Sequence, residues 1–193
     1  MLNTQPKVRA WVVATVVALA VQTALAVDVK VGFDKAFNFK AVRTWGWKPD
    51  GPGKVIMART PDDDPEAMQK RVDPVLMTEV EAQMTQRGLK AATGAPDVFV
   101  TYFLLLSTGS NAQTIGQFLP GSSVWGLPPF LASTQSLEMM NQGSLVIDLS
   151  ANDAVVWRGF AQANIKIGID AKKREALLRE GVRDLLKRYP PKS

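Results

Sequence analysis

The chain has 193 residues, 46% hydrophobic and 21% charged, a balance that fits one globular domain plus a targeting segment and excludes wholesale disorder. It contains neither cysteine nor histidine, so disulfides, thiolate metal sites, Ser-His-Asp or Cys-His catalysis, the HExxH motif and a lipid-bearing cysteine are all excluded by inventory. The net charge is +5, but without the leader residues Lys7 and Arg9 there are 21 basic against 18 acidic residues, evenly spread, which argues against a nucleic-acid partner.

The first 26 residues read as a cleavable signal peptide. Lys7 and Arg9 form a positive n-region, and the apolar run from Trp11 to Val21 has the length of an h-region. Gln22 and Thr23 break the run. Ala24-Leu25-Ala26 then supplies small residues at −3 and −1, which sets cleavage before Val27. The expected location is the periplasm. The alternative is an uncleaved inner-membrane anchor, since no residue from Ala10 to Val27 is charged.

Residues 27–193 read as a single α/β domain. Val29, Val31 and Phe33 alternate with Lys30 and Gly32 as a first strand, and Val42 to Trp47 forms a second, aromatic-rich one. Pro49-Asp50-Gly51-Pro52-Gly53 ends it in a turn. Residues 54–64 read as loop, with some extended structure near Val55-Ile56-Met57.

A helix follows with two candidate starts, Asp64-Pro65 and Asp73-Pro74, each an N-cap followed by proline at the first helical position. Met68, Val72, Val75, Leu76, Val80 and Met84 keep one apolar face. The main helix is expected over 74–87, with a helical turn ahead of it and Gly88 as its stop. Val98 to Leu106 is a long central strand. Residues 107–134 form a Gly/Pro-rich loop around Trp125 and Phe130.

Gly143–Leu149 and Val155–Ile167 form a hairpin about Ser150-Ala151-Asn152-Asp153. Leu145, Ile147 and Leu149 share one face with Val155, Trp157, Gly159, Ala161, Ala163 and Ile165. Arg158, Gln162, Asn164 and Lys166 make the other face mixed and partly wet. The last helix runs from Ala171 to Arg188 behind Asp170, burying Leu178, Val182, Leu185, Leu186 and Tyr189, and Pro190-Pro191 stops it. The order β-β-α-β-loop-β-β-α predicts a two-layer α/β sandwich, a mostly antiparallel sheet with two helices on one face.

Several stretches, read in order, carry a resemblance. They are Phe33-Asp34, Phe37-Asn38-Phe39 and Arg43-Thr44-Trp45-Gly46-Trp47; Met84 to Leu89 and Pro96-Asp97-Val98-Phe99-Val100; and Gly143 to Leu149, Val156-Trp157-Arg158-Gly159 and Leu186 to Pro191. Together they resemble a bacterial envelope family, domain of unknown function 4136, over nearly all of the chain after the leader. The resemblance implies an envelope location. Members are commonly predicted lipoproteins, and this chain departs by lacking the lipid-bearing cysteine. It implies no activity.

Each candidate site has a plainer reading beside it. Asp62-Asp63-Asp64 lacks the alternating spacing of a calcium loop and reads as a solvated helix entrance. Asp97 reads as a capping carboxylate. Asp148 and Arg158 come together across the hairpin; with Leu149 facing Val155 they are diagonal neighbours, either a register-fixing ion pair or a polar site. Trp45, Trp47 and Trp157 read as core or sheet-face aromatics. Trp125 and Phe130, in a Gly/Pro-rich loop, are candidate partner contacts.

No residue set implies a cofactor or metal. The expectation is a non-catalytic envelope module that binds a protein, lipid or cell-wall component. The alternatives are a carboxylate hydrolase, with or without a metal, and a signal-anchored structural protein.

Overall fold

The computed structural model describes residues 27–57, 64–106, 142–164 and 170–191. Trp125, Phe130, Asp62 and Asp63 lie outside the described residues, as do the leader and the whole 107–134 segment. The described elements are β1 (Asp28–Phe33), a 3-10 turn at Phe39–Ala41, β2 (Thr44–Trp47), β3 (Gly53–Met57), α1 (Pro65–Gln86), β4 (Lys90–Ala91), β5 (Val98–Leu106), β6 (Gln142–Ala151), β7 (Ala154–Asn164) and α2 (Ala171–Leu186). They form the expected α+β sandwich, with one sheet in the order β1-β7-β6-β5-β2-β4 and β3 also paired to β5.

The long ladders β1–β7, β7–β6 and β6–β5 are antiparallel, whereas β2 and β3 run parallel to β5 and β4 parallel to β2. β2 covers Val98–Val100 and β3 covers Tyr102–Leu106, so both lie end to end along one edge of β5. Residues 48–52 are an excursion between these two pairings, closed by Gly51 N–H donating to the Lys48 carbonyl at 3.0 Å. β3 and β4 add two strands to the expected order. β3 takes up the extended structure expected near Val55-Ile56-Met57, and β4, only two residues long, is too short to show a period in the sequence.

The first helix starts at Pro65, nine residues before the expected main start, and runs unbroken to Gln86. Asp64 Oδ1 accepts from Glu66 N–H at 3.0 Å and Ala67 N–H at 3.1 Å, which satisfies two of the orphan donors of the first turn. Pro74 lies inside the helix. It removes only the N–H that would bond the Lys70 carbonyl, while Val72, Leu76, Val80 and Met84 are buried on one face, so tertiary burial overrides the local break. Gly88, at φ +79°, ends the run as expected, and Leu89 N–H returns to the Met84 carbonyl at 3.1 Å.

Asp170 caps α2 through Lys173 N–H at 2.9 Å. Its buried stripe is Leu177, Gly181, Val182, Leu185 and Leu186, so Leu177 rather than Leu178 points fully inward. The helix is turned by about one position toward the small residue Gly181. Gly181 lies against Leu145 and Ala161, letting helix and sheet approach closely. Tyr189, just beyond the helix, is buried between Phe39 and Trp157 in edge-to-face contacts at 5.9 and 5.8 Å. Arg87 Nε donates to the carbonyls of Leu186, at 2.6 Å, and Tyr189, at 3.1 Å, tying the ends of the two helices together.

The hairpin turns at Asn152 and Asp153, with φ of +49° and +61°, the left-handed pair of a two-residue type I′ turn. A register shift between Leu149 and Ser150 pairs Ser150 with Val155 but Leu149 with Trp157. The shift reverses parity, so Val155 belongs to the face away from the helices, beside Asp148 and Ser150, rather than with Trp157. No described helix lies on that face, yet Ser144, Val146, Asp148, Arg158 and Phe160 are buried on it, so its centre is dry rather than partly wet.

Candidate binding site on the second sheet face

The same register shift puts Asp148 directly opposite Arg158, rather than diagonal to it. The two side chains pair bidentately. Nε reaches Oδ1 at 2.5 Å and Nη2 binds Oδ2, with the arginine side chain fully covered and the aspartate 6% exposed. Burial pushes the Asp148 carboxyl above its ordinary range, and Arg158 and then Lys48 pull it back.

Asp148 of this pair floors one end of a cavity of about 220 Å³. Thr101 and Phe103 of β5, Ser150 of β6 and Val155 of β7 complete the floor. Lys48, Asp50, Gly51 and Lys54 from the 48–52 excursion and the start of β3 form one wall, and Asp153 at the hairpin tip forms the other. The pocket exists because β2 and β3 share one edge of β5 and force the chain between them to bulge.

Two features mark the pocket as more than a surface dent. Among the described residues Thr101 Oγ1 is screened from solvent without a hydrogen-bond partner, a state it shares with the Ser144 and Tyr189 hydroxyls. Lys48 and Lys54 form no ion pair within 4.0 Å among the described residues, although Lys48 is half-buried. Asp148 is already taken by Arg158, and Asp50 and Asp153 are exposed on turn tips. A small ligand carrying a carboxylate or phosphate would meet Lys48 and Lys54 here, over the apolar edges of Phe103 and Val155, with Asp50 and Asp153 at the rim.

The other carboxylates have structural partners. Asp97 Oδ2 accepts from Arg43 N–H at 2.8 Å, Thr44 N–H at 2.8 Å and Thr44 Oγ1 at 2.9 Å, while Asp97 N–H returns to Thr44 Oγ1 at 3.0 Å. This reciprocal clamp fixes β2 beside β5, and its backbone donors hold the Asp97 carboxyl below the usual range. It is the capping role expected of Asp97.

Asp73 accepts from the Tyr102 hydroxyl, and the Gln69 amide donates to both Asp73 at 2.5 Å and Tyr102 at 2.7 Å. Gln69 also accepts from Val55 N–H at 2.6 Å and reaches the Gly53 carbonyl at 3.4 Å, standing in for a strand along the free edge of β3. Nothing in the sequence pattern marks Gln69, because its role depends on where β3 lands. Trp45 and Trp157 are core residues and Trp47 is half-buried. Among the described residues no three His, Cys, Asp or Glu side chains converge to hold a metal ion.

The family model for a domain of unknown function, DUF4136, matches residues 29–191. The chain belongs to this family. The stretches that carry the resemblance are the ones that close the sheet: Thr44 and Asp97 clamp β2 to β5, Asp148 pairs with Arg158, and Tyr189 packs on Trp157. No curated protein matches the sequence.

Among solved structures, the chain is similar to a DUF4136 family protein from Bacteroides thetaiotaomicron VPI-5482. The identity is 15% and the TM-score 0.48, over 85% of this chain and 96% of that one. It is also similar to a PDZ domain protein from Parabacteroides distasonis ATCC 8503, at 12% identity and TM-score 0.49 over 86% of this chain. It spans 36% of that protein's length.

Proposed function

We propose that this DUF4136 member is an exported, non-catalytic envelope module whose second sheet face binds a small anionic group, carboxylate or phosphate, presented by an envelope component. The observation that carries the reading is the pocket over Asp148, where Lys48 and Lys54 line one cavity and form no ion pair among the described residues. Its carboxylates are a paired Asp148 and two turn-tip groups, which does not favour the two facing carboxylates of a hydrolase. The positively charged start, apolar run and Ala24-Leu25-Ala26 support export with cleavage before Val27. No described helix is long and apolar enough to cross a membrane.

Two measurements test the proposal. Intact mass on protein from fractionated cells is expected to give a chain starting at Val27 in the periplasmic fraction. A full-length chain in the cytoplasm would overturn export, and one in the membrane would favour the anchored structural alternative. Titration of isotope-labelled protein with inorganic phosphate and with succinate is expected to shift the Thr101 and Lys48 amide resonances in the millimolar range. The Lys48→Met, Lys54→Met double variant should lose the response. Unmoved amides in the wild type would remove the anion site.

A further inference from the structure

We propose that the chain pairs with a second copy of itself through β1, by two-fold antiparallel addition centred on Val31. Among the described residues β1 is an edge strand, bonded to β7 alone. Asp34 N–H donates inward to the Val156 carbonyl at 2.8 Å. In an antiparallel ladder the inward-bonding residues alternate, so Gly32, Lys30 and Asp28 follow Asp34 inward, and Phe33, Val31 and Val29 turn their N–H and C=O groups out.

The side chains of the same three residues point to the helix side, opposite Trp157, Gly159 and Ala161, and all three are only partly buried. They border a groove of about 610 Å³ whose far wall is Asp184, Lys187, Arg188, Pro190 and Pro191 of α2 and its continuation. An unpaired edge beside a half-exposed apolar strip is an incomplete sheet, and natural proteins normally cover or pair such an edge.

The geometry points to a second copy as the occupant. The register that places Val31 opposite Val31 gives Val29, Val31 and Phe33 each an outward partner, with Val29 of one copy opposite Phe33 of the other. That register lays the two apolar strips side by side on one face. Each groove wall carries both signs, Asp184 beside Lys187 and Arg188, so the walls of two copies related by a two-fold axis can match opposite charges. Asp184, Lys187 and Arg188 form no ion pair among the described residues, so all three are available. Lys30, the charge at the middle of the strand, lies on the opposite side of the sheet and does not enter the groove.

The natural absence of cysteine makes the test clean. Val31 of one copy would sit about 5.5 Å from Val31 of the other, Cα to Cα, as a hydrogen-bonded pair. That lies within the roughly 4.4–6.8 Å that a disulfide spans. Protein expressed from the complete sequence and purified as it accumulates is expected to show twice the chain mass by light scattering at 100 μM. Val31→Cys should convert almost entirely to a covalent dimer on mild oxidation, and Lys30→Cys, whose side chain faces the other way, should not. Val31→Lys should run at the mass of one chain with an unchanged circular-dichroism spectrum. A wild type of single-chain mass at 100 μM overturns the proposal and leaves the edge to a foreign strand. A dimer in which Val31→Cys stays reducible to single chains without cross-linking places the contact elsewhere and overturns it equally.

Discussion

Replacing Arg158 with Met removes the one cation bonded bidentately to Asp148 and leaves a carboxylate 6% exposed in a dry sheet face. Breaking a buried pair from one side costs about 3–5 kcal/mol, because the remaining charge keeps its desolvation penalty without its attraction. Against a total of roughly 5–15 kcal/mol for a domain, that is a large share. With a urea m-value of about 2 kcal/mol/M, the midpoint should fall by about 2 M, read from the fluorescence of Trp157 and the other tryptophans.

Two further arms separate the charge argument from simple loss of packing. Asp148→Leu, Arg158→Met in one chain replaces both partners with apolar groups and should recover most of the loss. Without Arg158 the folded-state value of Asp148 rises further above its unfolded value. The variant therefore keeps its stability below about pH 3.9 and loses it as pH rises through the folded value, so its deficit against wild type should grow from pH 4 to pH 7. A single variant that costs under 1 kcal/mol, or a double variant no better than the single, would refute the reasoning.

Asp97→Asn should lower the melting temperature by loosening β2 from β5. The Asp97 carboxyl is depressed in the fold, so its contribution is present above about pH 3.9 and disappears as pH falls through the folded value; melting curves of the two proteins should converge at acid pH. Gly159→Ala would place a Cβ 2.8 Å from Leu185 Cδ2 and 2.5 Å from the ring of Trp157, and should cost about 1–3 kcal/mol in denaturant melts. The chain has two tyrosines, and burial raises both: Tyr189 to about 12, and Tyr102, which also donates to Asp73, beyond that. Ultraviolet titration of the folded protein should show almost no tyrosinate at about pH 10.5, and both groups should ionise near pH 10 in urea. Tyrosinate appearing at pH 10 without loss of the circular-dichroism signal would contradict the packing of Tyr189 between Phe39 and Trp157.

Much of the fold was legible because the long elements carry their own periods. The 143–149 and 155–164 hairpin, the strand at 98–106 and both helices show the alternation or the 3.6-residue stripe that burial requires. Gly88 and the cap at Asp170 are local chemistry and were readable residue by residue, whereas Asp64-Pro65 and Asp73-Pro74 read alike as starts of the first helix. What escaped depends on tertiary placement. β3 exists because β5 offers a free edge beyond β2, and β4 because β2 offers one. α1 continues through Pro74 because its apolar face is buried on both sides of the proline. One bulge at Leu149/Ser150 decided whether Asp148 lay opposite or diagonal to Arg158, and which face Val155 joined. Sequence alternation brought that pair together but could not count the extra residue. The Lys48–Lys54 pocket wall was out of reach for the same reason, since it arises where two short parallel strands meet end to end.

The choice between binding and hydrolysis turns on which charges the fold leaves unspent. Asp64 and Asp170 cap helices, Asp97 clamps β2 to β5, Asp73 takes the Tyr102 hydroxyl, and Glu79 lies between Arg179 and Arg183 at 3.6 and 3.9 Å. Asp148 is locked to Arg158. Around the pocket, the charged side chains without an ion-pair partner among the described residues are Lys48 and Lys54 on one wall and the exposed Asp50 and Asp153 at the turn tips. Carboxylate catalysis needs one acid held neutral and another held ionised across a substrate-sized gap. On the proposed reading, the pocket's one buried carboxylate, Asp148, is bonded at both oxygens, which does not favour that arrangement, whereas two lysines supply charge that an anionic group requires. The same inventory predicts how the site fails. Neutralising Lys48 and Lys54 should abolish the anion response at little cost in stability beyond the pull of Lys48 on Asp148, since neither lysine forms an ion pair among the described residues, whereas Arg158→Met should act first on stability.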